Sequence, residues 1–151
     1  MQIRRGREAD RVRQVALGGQ IYETDQEIPR ALTLLLPEAC PQWWCVEEDG
    51  TLVGGVALYW EDDAWHMGRF VISPELRGRH VGTALLETAL TDIFAQDIRE
   101  VTMEARDTTV HILKKFGAET TGAPFSFYRD TVTPMRLTRE AFWNSRACGQ
   151  I

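Results

Sequence analysis

Little in this chain favours metal or disulfide chemistry. Its three cysteines, Cys40, Cys45 and Cys148, are an odd number without C-x-x-C spacing. Reduced thiols in a cytoplasmic protein are the simplest account. Three scattered histidines and three cysteines show no ligand pairing, so no zinc or other metal site is expected. No apolar run approaches the length that crosses a bilayer, and Met1 to Gly6 carry no apolar signal segment. Positive charge is also short: 17 Lys and Arg stand against 22 Asp and Glu, a net charge of −5. A general nucleic-acid binder is usually basic, so neither nucleic acid nor membrane is an expected partner. The locally basic start (Arg4, Arg5, Arg7, Arg11, Arg13) reads as a solvated helix face. No internal repeat or low-complexity stretch stands out.

What is present suits one globular domain. The 151 residues are 44% hydrophobic and 26% charged, enough to bury a core and stay soluble. The most informative stretch runs from Phe70 to Leu86. Pro74 cannot donate a ladder hydrogen bond, so the strand through Phe70, Val71 and Ile72 should stop before it. The apolar period then changes: Val81, Leu85, Leu86, Ala89, Leu90, Ile93 and Phe94 fall on one helical stripe. A helix opening out of a glycine-containing loop offers unpaired N–H groups and the positive end of its dipole to an anion. Gly78 and Gly82 let backbone approach that anion, and Arg77 and Arg79 add forked donors. Spacing excludes a Walker loop, because only three residues separate Gly78 from Gly82 and Thr83 follows with no lysine. The G-x-G-x-x-G dinucleotide fingerprint is absent too. The bland alternative is an ordinary strand–turn–helix.

Taken in order, Gln2 to Arg5 reads as a strand and Glu8 to Leu17 as a helix ended by Gly18-Gly19. Ile21 to Gln26 is a polar connection, and a second helix runs from about Pro29 to Leu36. Strands Trp43 to Glu47 and Thr51 to Trp60 form a hairpin about Asp49-Gly50. A second turn, Glu61-Asp62-Asp63, leads into the strand Ala64 to Ser73. After the helix ending near Gln96, Ile98 to Ala105 is a fifth strand, parallel to the one before the loop because a helix separates them. Asp107 or Thr108 caps another helix, ending at Phe116-Gly117. Phe125 to Arg129 and Thr133 to Leu137 are the last strands, and residues 144–151 should be a loose tail. The fold class is α/β with a mixed, mostly antiparallel sheet of about seven strands and about four helices.

The order Ile72-x-Pro74-x-x-Arg77-Gly78-x-x-x-Gly82, set between a strand and a helix, resembles motif A of the GNAT acetyltransferases, V-x-P-x-x-[RQ]-x-x-G-x-[GA]. His80 stands where that family most often has glycine. The element order agrees over nearly the whole chain, making residues 1–143 a single domain of that type. The resemblance implies acetyl-CoA as co-substrate, with its pyrophosphate on Arg77, Gly78, Arg79, His80, Val81, Gly82 and Thr83. It implies that the pantetheine arm pairs with Phe70, Val71 and Ile72, where family members splay this strand from the next at a bulge. Gly68 is the candidate bulge, or simply makes room for a large neighbour such as a tryptophan.

Two residues compete for the base that would deprotonate the acceptor amine. By the period of two, His66 shares a strand face with Gly68, Phe70 and Ile72. Glu104, in Met103-Glu104-Ala105-Arg106, resembles the L-E-V-R run whose glutamate serves other members. The family's usual acid is missing: Leu113 stands at the tyrosine position, Arg106 at the preceding asparagine position, and Ala118 replaces a phenylalanine. Tyr128 could substitute, or no acid is used, since a thiolate leaves readily. His111 is expected to face solvent. The acceptor pocket implied by the family comprises Tyr22, Glu23 and Asp25 with the Phe125–Tyr128 run, whose acidic residues would suit a cationic small-molecule or peptide amine. Trp43, Trp44, Trp60 and Trp65 read as core and cross-strand pairs. The expected activity is direct N-acetylation of a primary amine, with a homodimer left open. The alternative is a catalytically reduced module that binds acyl-CoA as a sensor.

Overall fold

The computed structural model describes residues 1–7, 10, 13, 16–17, 37–127 and 130–148. An eight-stranded sheet runs through it in the order β1-β2-β3-β4-β5-β8-β6, with β7 also paired to β8. The strands are β1 (Gln2–Arg5), β2 (Gln42–Glu48), β3 (Thr51–Glu61), β4 (Ala64–Ile72), β5 (Glu100–Arg106), β6 (Glu119–Thr120), β7 (Phe125–Phe127) and β8 (Asp130–Thr138). Three described helices are α1 (Val81–Ala95), α2 (Asp107–Lys115) and α3 (Arg139–Cys148). Every described strand pair is antiparallel except β4 with β5. That exception follows from α1, which returns the chain to the end where β4 began.

Turn chemistry sets the hairpin registers. Asp49-Gly50 and Asp62-Asp63 both hold positive φ at their two central positions, the twist that matches flanking strands. The second turn therefore pairs Glu61 with Ala64, Trp60 with Trp65 and Tyr59 with His66. Trp60 and Trp65 meet edge to face at 5.2 Å between ring centres, the cross-strand pair expected of them. Trp44 is fully buried, with its indole N–H on Asp92 Oδ2 at 2.8 Å.

Helix α1 buries the seven residues of its predicted stripe, Val81, Leu85, Leu86, Ala89, Leu90, Ile93 and Phe94. They join Trp44, Val46, Val56, Leu58, Met67 and Leu113 in one core on one face of the sheet. Smaller clusters occupy the opposite face, Trp43 with Ala57 and Tyr59, and Val71 with Leu17 and Phe127. Helix α2 begins at Asp107, but Arg106 is its N-cap residue and no side chain caps it. Its end matches expectation. Gly117 has φ +101, and the Ala118 and Gly117 amides donate to Leu113 O and Lys114 O at 3.0 and 3.1 Å, a closure that needs a left-handed residue.

Residues 144–148 of the expected loose tail continue helix α3 (Arg139–Cys148), and residues 149–151 lie outside the described residues. Thr138 Oγ1 accepts from the Ala141 amide at 3.1 Å, and Phe142 is fully buried against Phe94 and Phe116. One well-placed aromatic anchors a helix whose other positions are mostly polar, so no apolar stripe announced it. Strand β6 was not anticipated either; two exposed residues carry no alternation.

Candidate active site

Strand β4 is interrupted by a bulge. Gly55 pairs with Val71 and Ala57 with Gly68, so Val56 alone on β3 faces both Arg69 and Phe70 on β4. The left-handed residue is Arg69, at φ 56, one position beyond the glycine expected to carry it. Gly68 instead provides space: a Cβ there would lie 3.0 Å from the Tyr59 hydroxyl. The large neighbour is this tyrosine rather than a tryptophan.

The extra residue changes which way β4 faces. Trp65 and Met67 point into the main core before the bulge, and Phe70 and Ile72 do so after it. His66 and Gly68 lie on the opposite face with Tyr59. The expectation that His66 shares a face with Phe70 and Ile72 is therefore corrected; a bulge resets the period of two.

Beyond the bulge the strand ends as Pro74 requires. Ser73 N–H donates to Val53 O at 2.8 Å, and Pro74–Leu76 make a single 3-10 turn with Leu76 buried. Gly78 has φ +83, and His80, the N-cap of α1, has φ 61 and ψ 17. The chain thus takes a left-handed turn at His80 despite its Cβ. Arg77, Gly78, Arg79 and His80 are exposed around the helix start, where the amides of Val81, Gly82 and Thr83 have no preceding helical carbonyl. Gly82 packs on β4: a Cβ there would sit 2.9 Å from Phe70 Cζ.

Strands β4 and β5 share one registered pair among the described residues, His66 with Thr102. Past it they part, and a cavity of about 360 Å³ occupies the gap. Val56, Leu86, Met103 and Leu113 line it from the main-core face, and Tyr59, His66, Arg69 and Phe127 from the other. The cavity therefore reaches through the sheet. Gly68, Phe70, Glu104 and Arg106 edge it as well.

Of the two base candidates, His66 is tied at both ring nitrogens. Nε2 lies 2.9 Å from Glu61 O and Nδ1 lies 3.0 Å from Thr102 Oγ1. A carbonyl only accepts, so Nε2 carries the proton. The ring also stacks on Tyr59, with centres 5.5 Å apart at 11°. Glu104 is exposed at the cavity edge. Leu113, which the sequence resemblance sets at the family's tyrosine position, is fully buried in the core. His111 is exposed, as expected. Tyr128 and the acceptor candidates Tyr22, Glu23 and Asp25 lie outside the described residues.

Residue-by-residue reading missed Tyr59 and Arg69. Arg69 Nη1 donates to the Tyr59 hydroxyl at 3.2 Å, and its guanidinium lies 5.0 Å from the ring centre. Burial pushes the phenol pKa up; Arg69 opposes that, while the Glu61 and Glu104 charges add to it. The signal was available in the turn, since counting back from Asp62-Asp63 sets Tyr59 opposite His66.

Comparison with known proteins agrees with this architecture. No curated relative matches the chain in sequence. Among solved structures, an acyl-CoA N-acyltransferase from Pseudomonas aeruginosa superposes with TM-score 0.72 at 19% identity, over 90% of this chain and 99% of that one. A ribosomal-protein-alanine N-acetyltransferase from Brucella melitensis gives 0.71 at 15% identity, over 91% and 99%. A spermidine N-acetyltransferase from Vibrio cholerae, in complex with CoA and spermine, gives 0.69 at 17% identity, over 95% and 98%. These likenesses establish the fold. The family model described as "Acetyltransferase (GNAT) family" matches residues 12–118, well over half of the chain. The chain belongs to the GNAT acetyltransferase family.

Proposed function

We propose that this protein is an acetyl-CoA-dependent N-acetyltransferase that moves the acetyl group directly from the thioester to a primary amine. The observation that carries the reading is the cavity through the sheet where β4 and β5 part. Such a passage lets a thioester arrive from one face and an amine from the other, so the two meet with no covalent acetyl-enzyme between them. Neither described free cysteine, exposed Cys40 or buried Cys45, lines the cavity.

The residues present fit coenzyme A. The amides opening α1, with Gly78 and exposed Arg77 and Arg79 beside them, suit a pyrophosphate. Gly82 keeps the helix close to Phe70, and the gap side of residues 70–72 suits the pantetheine amides. When bound, the coenzyme supplies an activated acetyl thioester. Glu104 is the better base. A carboxylate at the cavity edge is open to an incoming amine, whereas both His66 nitrogens are engaged. His66 orients Tyr59 and closes the last β4–β5 pair.

A cationic amine is the acceptor class, supported by Glu61, Asp62 and Glu104 around the cavity and by acidic Glu23 and Asp25 in sequence. The test is release of free CoA thiol from acetyl-CoA across a panel of polyamines, aminoglycosides, amino acids and peptides. Turnover on at least one amine is expected, with Glu104→Gln lowering kcat about 10²-fold. Saturable CoA binding without turnover on any amine would instead favour the sensor reading, which buried Leu113 at the family's tyrosine position recommends as the rival.

A further inference from the structure

We propose that His66 is a positioning residue of the acceptor site: it ties the β3–β4 turn to β5, and so holds the Glu61 and Asp62 carboxylates in place relative to Glu104 around the cavity. The inference deepens the acetyl-transfer reading above and rests on it. It gives this histidine a task in which it never takes the amine's proton. The basis is a ring that joins three elements. Nε2–H donates to Glu61 O at 2.9 Å, Nδ1 lies 3.0 Å from Thr102 Oγ1, and the ring stacks on Tyr59. Glu61 ends β3 and Thr102 lies on β5, so one side chain of β4 binds both neighbouring strands.

Each bond falls where the backbone needs an outside anchor. The bond to Glu61 O spans the Asp62-Asp63 turn, in which two residues that carry a Cβ hold φ 51 and 58, a region sparsely populated by L side chains. The bond to Thr102 sits at the one registered β4–β5 pair among the described residues, His66 with Thr102, where the gap begins. Thr102 Oγ1 also lies 3.4 Å from Trp65 O, so this hydroxyl engages β4 twice.

The ring lies on the sheet face away from the α1 core, the face given above to the acceptor. Strand β5 keeps an unbroken register with β8 from Glu100 to Arg106, so its side chains alternate strictly. Met103 enters the main core, and Thr102 and Glu104 therefore share the opposite face. The hydroxyl that His66 holds is thus two residues from the proposed base and on the same side of its strand. Glu61, Asp62, His66 and Glu104 all line the cavity. A cationic amine entering from this face meets the turn carboxylates, which attract it, and Glu104, which takes its proton. The two groups come from elements joined across the gap through His66. Without that tie, the exposed turn would be ordered against β5 only as the amine arrives, and binding would be weakened by the ordering.

The test is initial-rate kinetics of CoA thiol release on the panel amine that turns over fastest. His66→Ala should raise the amine KM about tenfold, the effect of ordering two side chains at the moment of binding, and lower kcat less than about threefold, with CoA affinity as in the parent. His66→Gln keeps a donor within reach of Glu61 O and should bring the amine KM back to within about threefold of the parent. His66→Asn is one carbon too short for Glu61 O, keeps only the Thr102 contact, and should resemble His66→Ala. In a protein carrying Glu61→Gln and Asp62→Asn, His66→Ala should raise KM by less than about twofold further, because it acts through the two carboxylates. An unchanged amine KM in His66→Ala, equal KM values for the Gln and Asn variants, or the full rise in the neutralised protein would each overturn the proposal. So would a kcat lowered about 10²-fold with an altered acid limb of the pH profile, which would make His66 the base. Should His66→Ala fail to fold, the comparison of Gln with Asn decides. Absence of turnover in the parent protein on every amine overturns the acetyl-transfer reading and this one with it. An active parent with any of the contrary outcomes overturns this one alone.

Discussion

His80 holds a left-handed backbone, φ 61 and ψ 17, at the N-cap of α1. A side chain there costs about 1–2 kcal/mol relative to glycine, because Cβ crowds the following carbonyl. Glycine returns about 0.5–1 kcal/mol of this through the greater freedom of its unfolded chain. The ring itself is exposed and makes no capping hydrogen bond, so removing it should cost little. His80→Ala therefore keeps the strain and loses only the ring, whereas His80→Gly loses both. The glycine variant should be the more stable of the two by roughly 0.5–1 kcal/mol, about 1–4 °C in Tm for a chain of this size. Differential scanning fluorimetry on the pair, confirmed by urea midpoints with equal m, reads the difference directly. Equal Tm values, or a lower one for His80→Gly, would refute the argument that the Cβ is strained. CoA affinity should stay similar in both variants, because the proposed anion contacts there are backbone N–H groups.

Other perturbations test other parts of the structure. Gly117→Ala should cost roughly 2–4 kcal/mol, since φ is +101 and a Cβ would lie 2.7 Å from Ala141 O of α3; a urea midpoint close to the parent's would contradict it. Gly82→Val should weaken CoA binding more than about tenfold while the domain stays folded, because the side chain pushes the start of α1 off Phe70; unchanged affinity in a folded variant would sink the assignment of this loop. Asp10 is buried and accepts from Arg4 Nη1 at 2.7 Å and from the Arg7 amide at 2.8 Å, with Arg4 also bound to Glu47. The Arg4 hydrogen bonds, then the Arg7 amide, hold its carboxyl well below the usual range. A lowered folded-state pKa stabilises fully above the ordinary carboxylate value and is lost as pH falls toward the folded one. Asp10→Asn should therefore cost about 3 kcal/mol at neutral pH, with the deficit shrinking as pH falls below about 4; a deficit constant down to pH 2 would contradict it.

The parts legible in sequence share a physical property: each is fixed by local period or turn chemistry. Helix α1 was readable because seven core contacts recur at helical spacing in one uninterrupted run. The two hairpins were readable because Asp49-Gly50 and Asp62-Asp63 occupy the tight turns. Helix α3 failed this test, since its one fully buried anchor, Phe142, packs in a pocket formed by distant Phe94 and Phe116. The proposed catalytic centre failed it for a different reason. A bulge is a one-residue slip, and sequence marks its position only when glycine supplies the left-handed φ. Here Arg69 supplies it, while the neighbouring Gly68 serves Tyr59 by leaving out a Cβ.

That slip separates the two halves of β4 into different jobs. Before it, His66 and Gly68 face Tyr59; after it, Phe70 and Ile72 turn inward and set the position of Gly82 at the start of α1. A straight strand would send all four side chains to one face, and the helix start and the phenol would then compete for the same side of the sheet. The bulge puts the proposed coenzyme loop and the Tyr59–Arg69 pair on opposite faces of one strand, with the cavity between β4 and β5 joining them. A direct-transfer site needs this arrangement, because donor and acceptor must approach one carbon from different sides. The left-handed Arg69 therefore has a role beyond its hydrogen bond to Tyr59. On the proposed acetyl-transfer reading, it lets a single strand hold the donor on one face and serve the acceptor on the other.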